Sequence, residues 1–448
     1  MRVVVVGAGE VGFDVADMLA QEQHDVSVVD TNPEALGRVA ERLDVMTIHG
    51  NGTEASVLDG AGITKADMLV AVTAVDEVNV IACMMADRLG VETTIARVRT
   101  GEFAERGGVL SSRDFGIDVV IRPEESAAAE VSRLIRRASA TDVLTFADER
   151  LQLVGMRIGE GYPVVGKSLR EVATENAEID FRIMAVVRGV RTLLPRGDEE
   201  IRENDQLFVL GQPDHVSQVA EAMGKSEVQM KNIMVLGGSK VGARVAEQLC
   251  ESGERSVKLI EPDQPRAQEL AEGLPGALVL CGDATDIDLL VTEGLGAMDA
   301  FVAVTDDEES NLVTCLMAKH LGVQKTVALL SKPAYIPISQ TIGLDAAVST
   351  KLAVSREVTR FLRGKNVRSV ATVHGLDAEI LEVETAEGAK VTNKPLKDLS
   401  VPEGVLVGAV EQNNHAEVAT GTTQIGAGDR AIVFVLPGKE EAAEGLFK

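Results

Sequence analysis

Four consecutive valines, Val3 to Val6, run straight into Gly7-Ala8-Gly9-Glu10-Val11-Gly12, and the arrangement returns as "NIMVL" (Asn232 to Leu236) followed by Gly237-Gly238-Ser239-Lys240-Val241-Gly242. Gly237 stands 230 residues after Gly7 (237 − 7). A short apolar run ending in spaced glycines reads as a buried strand that turns sharply into a helix. Its return obliges the chain to build one unit twice. The correspondence extends well past the loops. "ADMLVAVTAVDEVNVIACMMADRLGV" (Ala66 to Val91) aligns with "MDAFVAVTDDEESNLVTCLMAKHLGV" (Met298 to Val323), which sets Asn79 opposite Asn311 and Cys83 opposite Cys315. "VVGKSLREV" (Val164 to Val172) aligns with "VTNKPLKDL" (Val391 to Leu399), and "LFVLGQP" and "IVFVLPG" close the two halves. The chain is a tandem duplication in the order long unit, short unit, long unit, short unit.

In the long unit, apolar runs expected as strands (Arg2–Val6, Val26–Asp30, Val45–His49, Met68–Thr73, Thr94–Val98, Val119–Ile121) alternate with helical patterns such as Val11, Val15 and Leu19. That alternation predicts an α/β fold, a parallel sheet covered by helices on both faces. The short unit has alternating strands, a Gly/Pro turn, one short helix and further strands, and is expected to be a small α+β module. The expected division is a Rossmann-like N-lobe over 1–124, a linker helix over 125–142 and a C-lobe over 143–225. The second set follows over 230–350, 351–366 and 367–448.

The glycine loop carries the functional signal. "GAGEVG" fits G-x-G-x-x-G between a strand and a helix, the setting that gives the spacing its meaning. Gly7 permits the tight turn, Gly9 lets a pyrophosphate approach the backbone and the helix N-terminus, and Gly12 allows close helix–strand packing. Asp30 ends the second strand 18 residues after Gly12 (30 − 12), where a carboxylate holds ribose hydroxyls and repels a 2′-phosphate. NAD(H) or an adenine nucleotide is therefore expected over NADP. Further contacts are expected from Asn51 and Thr53 after the third strand, and from Thr73 and Ala74 after the fourth. Arg97 and Arg99 either reach phosphates or are ordinary surface charge. The second copy departs from this pattern, with Ser239 for Gly9, Glu261 for Asp30, an added Lys240, and Leu329 and Ser331 for the two arginines. It is expected to bind more weakly, or to bind something else.

Several signals point elsewhere. The net charge of -26 removes the basic footprint that DNA or RNA needs, and disfavours an anionic lipid surface. No 18-residue apolar run exists, so no direct membrane insertion is expected, and no secretory leader is read at the amino terminus. Cys83, Cys250, Cys281 and Cys315 lack metal spacing and are expected as small buried hydrophobes in a reducing cytoplasm. "GYPVVGKS" (Gly161 to Ser168) matches the P-loop spacing, but Pro163 removes a donor and the valines stiffen the loop, so a strand-to-helix turn is expected. "TDDEESN" (Thr305 to Asn311) reads as a helix cap in preference to a cation site. The histidines (His24, His49, His215, His320, His374, His415) form no triad-like pattern, and no catalytic or metal-ligating residue is assigned.

The glycine loop with Asp30, "DMLVAVT" with the following "DE" and "AC", "IARVR", "GKSL" and the A-B-A′-B′ order resemble, over nearly the whole chain, the TrkA-type subunits of Trk potassium uptake systems. These are tandem RCK proteins (regulators of potassium conductance). The resemblance implies a cytoplasmic, non-enzymatic regulatory subunit that binds NAD(H) or ATP/ADP. It implies a homotetrameric ring beneath a separate Trk-type potassium-translocating membrane subunit, held peripherally at the inner face of the cell membrane. By position it carries the first nucleotide site onto Gly7, Ala8, Gly9, Glu10, Val11, Asp30, Thr73, Ala74 and Arg97. The second falls on Gly237, Gly238, Ser239, Lys240, Val241, Glu261 and Thr305. The linker helices (Ser126–Arg137 and Leu352–Arg363) carry apolar residues beyond what a lone lobe covers, which predicts that they mediate lobe–lobe contacts and a tetramer, with the small modules available to join chains. An NAD-dependent oxidoreductase is the alternative, although no acid–base pair or substrate domain is visible for it. A redox-responsive repressor is disfavoured by the charge.

Overall fold

The computed structural model describes all residues except 100–110, 138, 190, 226–228, 252, 284–285, 333–334, 336–337, 340–341, 363–365, 373–375 and 414. His374 and Arg363 thus lie outside the described residues. The chain divides into two compact units, Met1–Ala127 with Ser349–Thr359, and Ala128–Val348 with Arg360–Lys448.

The first unit holds a six-stranded parallel sheet. Its strands are β1 (Arg2–Val6), β2 (Asp25–Asp30), β3 (Met46–His49), β4 (Met68–Ala71), β5 (Thr93–Arg97) and β6 (Val119–Ile121), in the order β3-β2-β1-β4-β5-β6. Val3 to Val6 are all buried, as befits a central strand covered on both faces. Helix α1 (Glu10–Gln21) turns Gly12, Val15, Ala16 and Leu19 inward, one apolar stripe at helical spacing. The helix Asp76–Arg88 buries Val80, Ala82, Cys83 and Ala86 against the opposite half of the sheet. β4 ends two residues before the expected Thr73, because the Thr73 amide bonds the Asn79 side chain instead of a neighbouring strand. The strand order reverses between β1 and β4, which opens a crevice at the carboxyl ends of these strands. The helix Thr350–Leu362 follows the second N-lobe in sequence, yet its first ten residues belong to this first unit. Val354 and Val358 are fully buried, and the Thr359 hydroxyl lies 3.0 Å from the Met18 sulfur.

The second unit contains the second N-lobe. It runs β12 (Asn232–Leu236), β13 (Ser256–Glu261), β14 (Ala277–Cys281), β15 (Ala300–Ala303), β16 (Lys325–Leu329) and β17 (Ala346–Val348), ordered β14-β13-β12-β15-β16-β17. Two five-stranded antiparallel sheets complete the unit. One consists of β7 (Asp142–Phe146), β8 (Leu151–Arg157), β9 (Phe181–Arg188), β10 (Arg191–Leu193) and β11 (Gln206–Gly211). The other consists of β18 (Val367–Thr372), β19 (Glu379–Glu384), β20 (Val405–Gln412), β21 (His415–Val418) and β22 (Arg430–Val435).

These C-lobe sheets share one core: Leu153, Met184, Phe208 and Leu210 lie in the same cluster as Ile380, Ala409, Ile432 and Phe434. The contact is so close that a Cβ on Gly408 would fall 2.3 Å from the Met184 methyl. Arg150 pairs with Glu411 at 2.5 Å, and Arg182 donates to the Ala419 carbonyl at 2.6 Å. The apolar faces of the two small modules are thus buried against one another within the chain. The first linker helix (Pro123–Arg136) is likewise partnered within the chain, with Ser132 bonded to Gln248 of the second N-lobe at 2.8 Å.

Candidate nucleotide-binding site

The three glycines of the first loop answer to different causes. Gly7 has φ +113°, a left-handed conformation that a side chain would strain, and its Cβ would press on the Val72–Thr73 backbone at 3.0–3.2 Å. A Cβ on Gly12 would stand 1.8 Å from the Gly7 carbonyl oxygen, so close packing of α1 forbids any side chain there. Gly9 is different. Its φ of −65° is ordinary, and nothing lies within 4 Å of where its Cβ would be. It is the N-cap of α1 but offers no side-chain cap, so the first-turn N–H groups are left to an outside acceptor. Packing accounts for Gly7 and Gly12, but not for Gly9.

Asp30 braces this loop. One carboxylate oxygen accepts from the Ala8 amide at 2.5 Å, and the other accepts from Asn32 at 2.7 Å. Asn32 in turn caps the next helix (Pro33–Arg42). Glu261 repeats the arrangement with Gly238 at 2.7 Å and Asp263 at 3.0 Å. Each carboxylate oxygen retains a lone pair for a further donor. This bracing role was not visible in the sequence.

At the end of β4, the Thr73 amide and hydroxyl both donate to the fully buried Asn79, at 2.9 and 2.7 Å. Asn79 returns its amide to the Thr73 and Arg97 carbonyls, at 3.1 and 2.8 Å. Thr305, Asn311 and Leu329 reproduce the network in the second lobe at 2.6–3.0 Å. The pairing of Asn79 with Asn311 in the aligned repeats was the only signal for this clamp. Asn51 accepts from the Thr53 amide and hydroxyl, both at 3.0 Å, and closes the turn after β3. The loop, Asp30, Asn51, Thr53 and Thr73 thus all follow the carboxyl ends of neighbouring parallel strands, β1 to β4.

Other residues are occupied elsewhere. Arg97 pairs with Glu124 at 2.9 Å; Arg99 donates to the Ala74 carbonyl and lies 3.7 Å from Asp76. Glu10 is exposed, Val11 half-buried, and Ala74 exposed.

In the second lobe Gly237 (φ +102°) and Gly242 repeat Gly7 and Gly12, with a Gly242 Cβ falling 1.9 Å from the Gly237 oxygen. Ser239 takes the place of Gly9 and closes the site from inside. Its hydroxyl donates to the Val304 carbonyl at 3.0 Å and accepts from the Gly242 amide at 3.3 Å, which caps the helix Lys240–Cys250. A Cβ on Gly238 would collide with Leu270 and Glu261, while Val241 is buried and Lys240 exposed. Arg266, unremarked in the sequence, reaches the Gly238 carbonyl at 3.2 Å. Its counterpart in the first half is Ala35.

The remaining motifs resolve into local structure. In "GYPVVGKS" the Gly166 amide bonds the Ile201 carbonyl, Lys167 pairs with Glu175 at 2.6 Å, and Ser168 forms a capping box with Glu171. Asp307 caps the helix Glu308–His320, while Lys332 and Tyr335 hold the Glu309 carboxyl down at about 2. Among the described residues no cluster of three or more His, Cys, Asp or Glu is arranged for a metal, and no helix is long and apolar enough to cross a membrane. Cys83 and Cys315 are fully buried and their thiols are pushed well up by burial. Cys281 is exposed and Cys250 partly so, which corrects the expectation that all four are buried.

Two protein-family models match the chain: the TrkA-N domain over residues 3–123 and 233–350, and the TrkA-C domain over 153–224 and 380–448. A Methanosarcina mazei protein described as Trk system potassium uptake protein TrkA homolog 2 is 35% identical, with both chains covered over 100% of their length. The Trk system potassium uptake protein TrkA of Halomonas elongata is 33% identical over 97% of this chain and 96% of its own. Among solved structures, the GsuK RCK domain superposes with a TM-score of 0.63 at 17% identity, covering 100% of this chain and 94% of that one. The GsuK channel bound to NAD gives 0.63 at 18% identity, covering 100% and 78%. At such identities the likeness to the two solved structures is one of fold.

Proposed function

Because the chain belongs to the TrkA family of Trk system potassium uptake proteins, with both of the family's domain types present twice, we propose that it is a nucleotide-sensing regulatory subunit of potassium uptake. Its action is on a separate Trk-type membrane subunit that carries the ion, from the cytoplasmic face and as a homotetramer. The observation that carries the nucleotide reading is Gly9, an unhindered N-cap left bare above an uncapped helix N-terminus at the switch point of a Rossmann-ordered sheet.

An anionic pyrophosphate fits that position, with ribose hydroxyls donating to the free lone pairs of Asp30. NAD(H) and ATP or ADP share this chemistry, and solved GsuK structures are described as bound to NAD and to ADP. In this reading Gly7 to Val11, Thr73 and Ala74 line the first site. The second lobe, with Ser239 over its helix end, is the weaker site or serves a different ligand. Such a protein acts by ligand-shifted populations, and needs no acid–base pair to do so.

Calorimetric titration with NAD+, NADH, ATP and ADP tests the reading. Wild-type protein is expected to bind at least one of them, and Gly9→Asp to abolish that binding while the fold stays intact. Undiminished binding to Gly9→Asp would refute it.

A further inference from the structure

Lys351 stands in the first turn of the second linker helix, Thr350–Leu362, and belongs by packing to the first unit. Its ammonium lies 3.1 Å from a Glu10 carboxylate oxygen and 3.6 Å from Asp14 Oδ2. The lysine side chain is 13% exposed and Glu10 is 72% exposed, so a partly buried cation is aimed at the acid beside the glycine loop. Glu10 is the first residue of α1 and Asp14 lies one turn on, on the same side of the helix. Burial pushes the Asp14 carboxyl up, and Lys351 pulls it back down.

An anion seated at the α1 N-terminus would have the Glu10 carboxylate as its neighbour. Like charges so placed repel, and the helix end attracts anions only modestly. A cation held against Glu10 removes most of that repulsion. The repeat carries a matching mark in sequence. "EVSRLIR" (from Glu130) aligns with "EVTRFLR" (from Glu357), which sets Glu124 opposite Lys351, just as the glycine loops set Lys240 opposite Glu10. The two positions reverse sign together between the halves.

We propose that Lys351 is the counter-charge that makes the first glycine loop receptive to phosphate. It acts through Glu10, and so ties nucleotide binding to the docking of the second linker helix. That helix continues directly from β17 of the second N-lobe. A ligand that draws on Lys351 therefore stabilises the docked linker, and by linkage a docked linker tightens the ligand to the same degree. The inference rests on the nucleotide reading above.

The test uses full-length protein and titration with AMP, ADP and ATP. Lys351→Gln is expected to weaken ATP about 3- to 10-fold, the scale of one partly exposed charge pair, with a smaller loss for ADP and the smallest for AMP. Lys351→Arg should retain wild-type affinity. Adding Glu10→Gln to Lys351→Gln should restore most of the loss, because the acid to be neutralised is gone. Glu10→Gln alone leaves the lysine in place and should tighten ATP; that result does not depend on whether Lys351→Gln folds. Equal weakening of all three nucleotides, no change in Lys351→Gln, or no effect of Glu10→Gln in either background would overturn the inference. If Gly9→Asp abolishes binding while Lys351→Gln changes nothing, this inference alone falls. If wild-type protein binds no nucleotide, or Gly9→Asp binds as wild type does, the nucleotide reading falls and this inference with it.

Discussion

Asp30 accepts a 2.5 Å hydrogen bond from the Ala8 amide, so the acid that ends β2 holds the glycine loop in shape before any ligand arrives. Glu261 does the same for Gly238 at 2.7 Å. A carboxylate that bonds a backbone amide contributes to stability as well as to recognition, and removing it leaves the amide without its acceptor.

Asp30→Ala should therefore destabilise the nucleotide-free first lobe by about 1–3 kcal/mol, and Glu261→Ala should do the same in the second lobe. Urea unfolding without nucleotide measures both. Unchanged unfolding with weakened nucleotide binding would mean that Asp30 serves the ligand alone.

Gly9 and Gly12 should separate cleanly. Gly9→Ala introduces a methyl into open space and should leave stability within about 0.5 kcal/mol of wild type, while reducing nucleotide affinity. Gly12→Ala drives a methyl to 1.8 Å from the Gly7 oxygen and should cost about 1–3 kcal/mol or more. Thermal unfolding and nucleotide titration on the two variants provide the comparison. Equal stability losses would remove the distinction on which the site assignment rests.

The parts of the fold legible in the sequence were those set by local periodicity and repetition. The parallel α/β character of the N-lobes followed from strand–helix alternation, and the duplication from motifs such as the two "AC/TC" helices; the strand order itself depends on pairings that alternation does not specify. Contacts between distant positions were not legible. Arg150 meets Glu411 across 261 residues, and nothing local to either residue announces it. The burial of Phe208 in one core with Phe434 is of the same kind, as is the membership of Ser349–Thr359 in the first unit. At the candidate site, glycine spacing located the loop but could not tell the packing glycines, Gly7 and Gly12, from Gly9. That distinction depends on where each absent Cβ would point. In the sequence Arg97 reads equally as a phosphate contact or as ordinary surface charge; the structure pairs it with Glu124, a partner 27 residues away.

Ser239→Gly should open the second helix end. The substitution removes the bonds to Gly242 and Val304 and frees the first-turn amides. Exchange of Ser for Gly at an N-cap costs only a few tenths of a kcal/mol, so stability should barely change while the second lobe gains nucleotide affinity. Calorimetry in a Gly9→Asp background isolates this lobe. No gain in that background would show that the serine is not what closes it.

Two lysines should give the protein an alkaline slope in stability. Lys325 is 2% exposed and donates to the Ala140 carbonyl; Lys225 donates to the Ser139 carbonyl at 2.7 Å. Burial pushes both down to about 8 from an ordinary 10.5, against the opposing pull of Asp345. Below about pH 8 folded and unfolded chains both hold these protons. Between about 8 and 10.5 the unfolded chain holds more, so stability from these groups rises with pH. The stability of Lys325→Met minus that of wild type should accordingly fall by about 1.4 kcal/mol per pH unit above pH 8. Urea unfolding from pH 7 to 10 measures it, and a flat difference would place the lysine's titration elsewhere.

Potassium flux through a reconstituted Trk-type membrane subunit, with and without this protein and with and without nucleotide, tests the central claim most directly. A regulatory coupling of about 1–3 kcal/mol should change flux at least several-fold on adding the nucleotide that binds. Gly9→Asp should leave flux insensitive to that nucleotide. Flux indifferent to the protein, together with NADH oxidation by the protein alone in the presence of a substrate, would contradict a regulatory role and establish a dehydrogenase in its place.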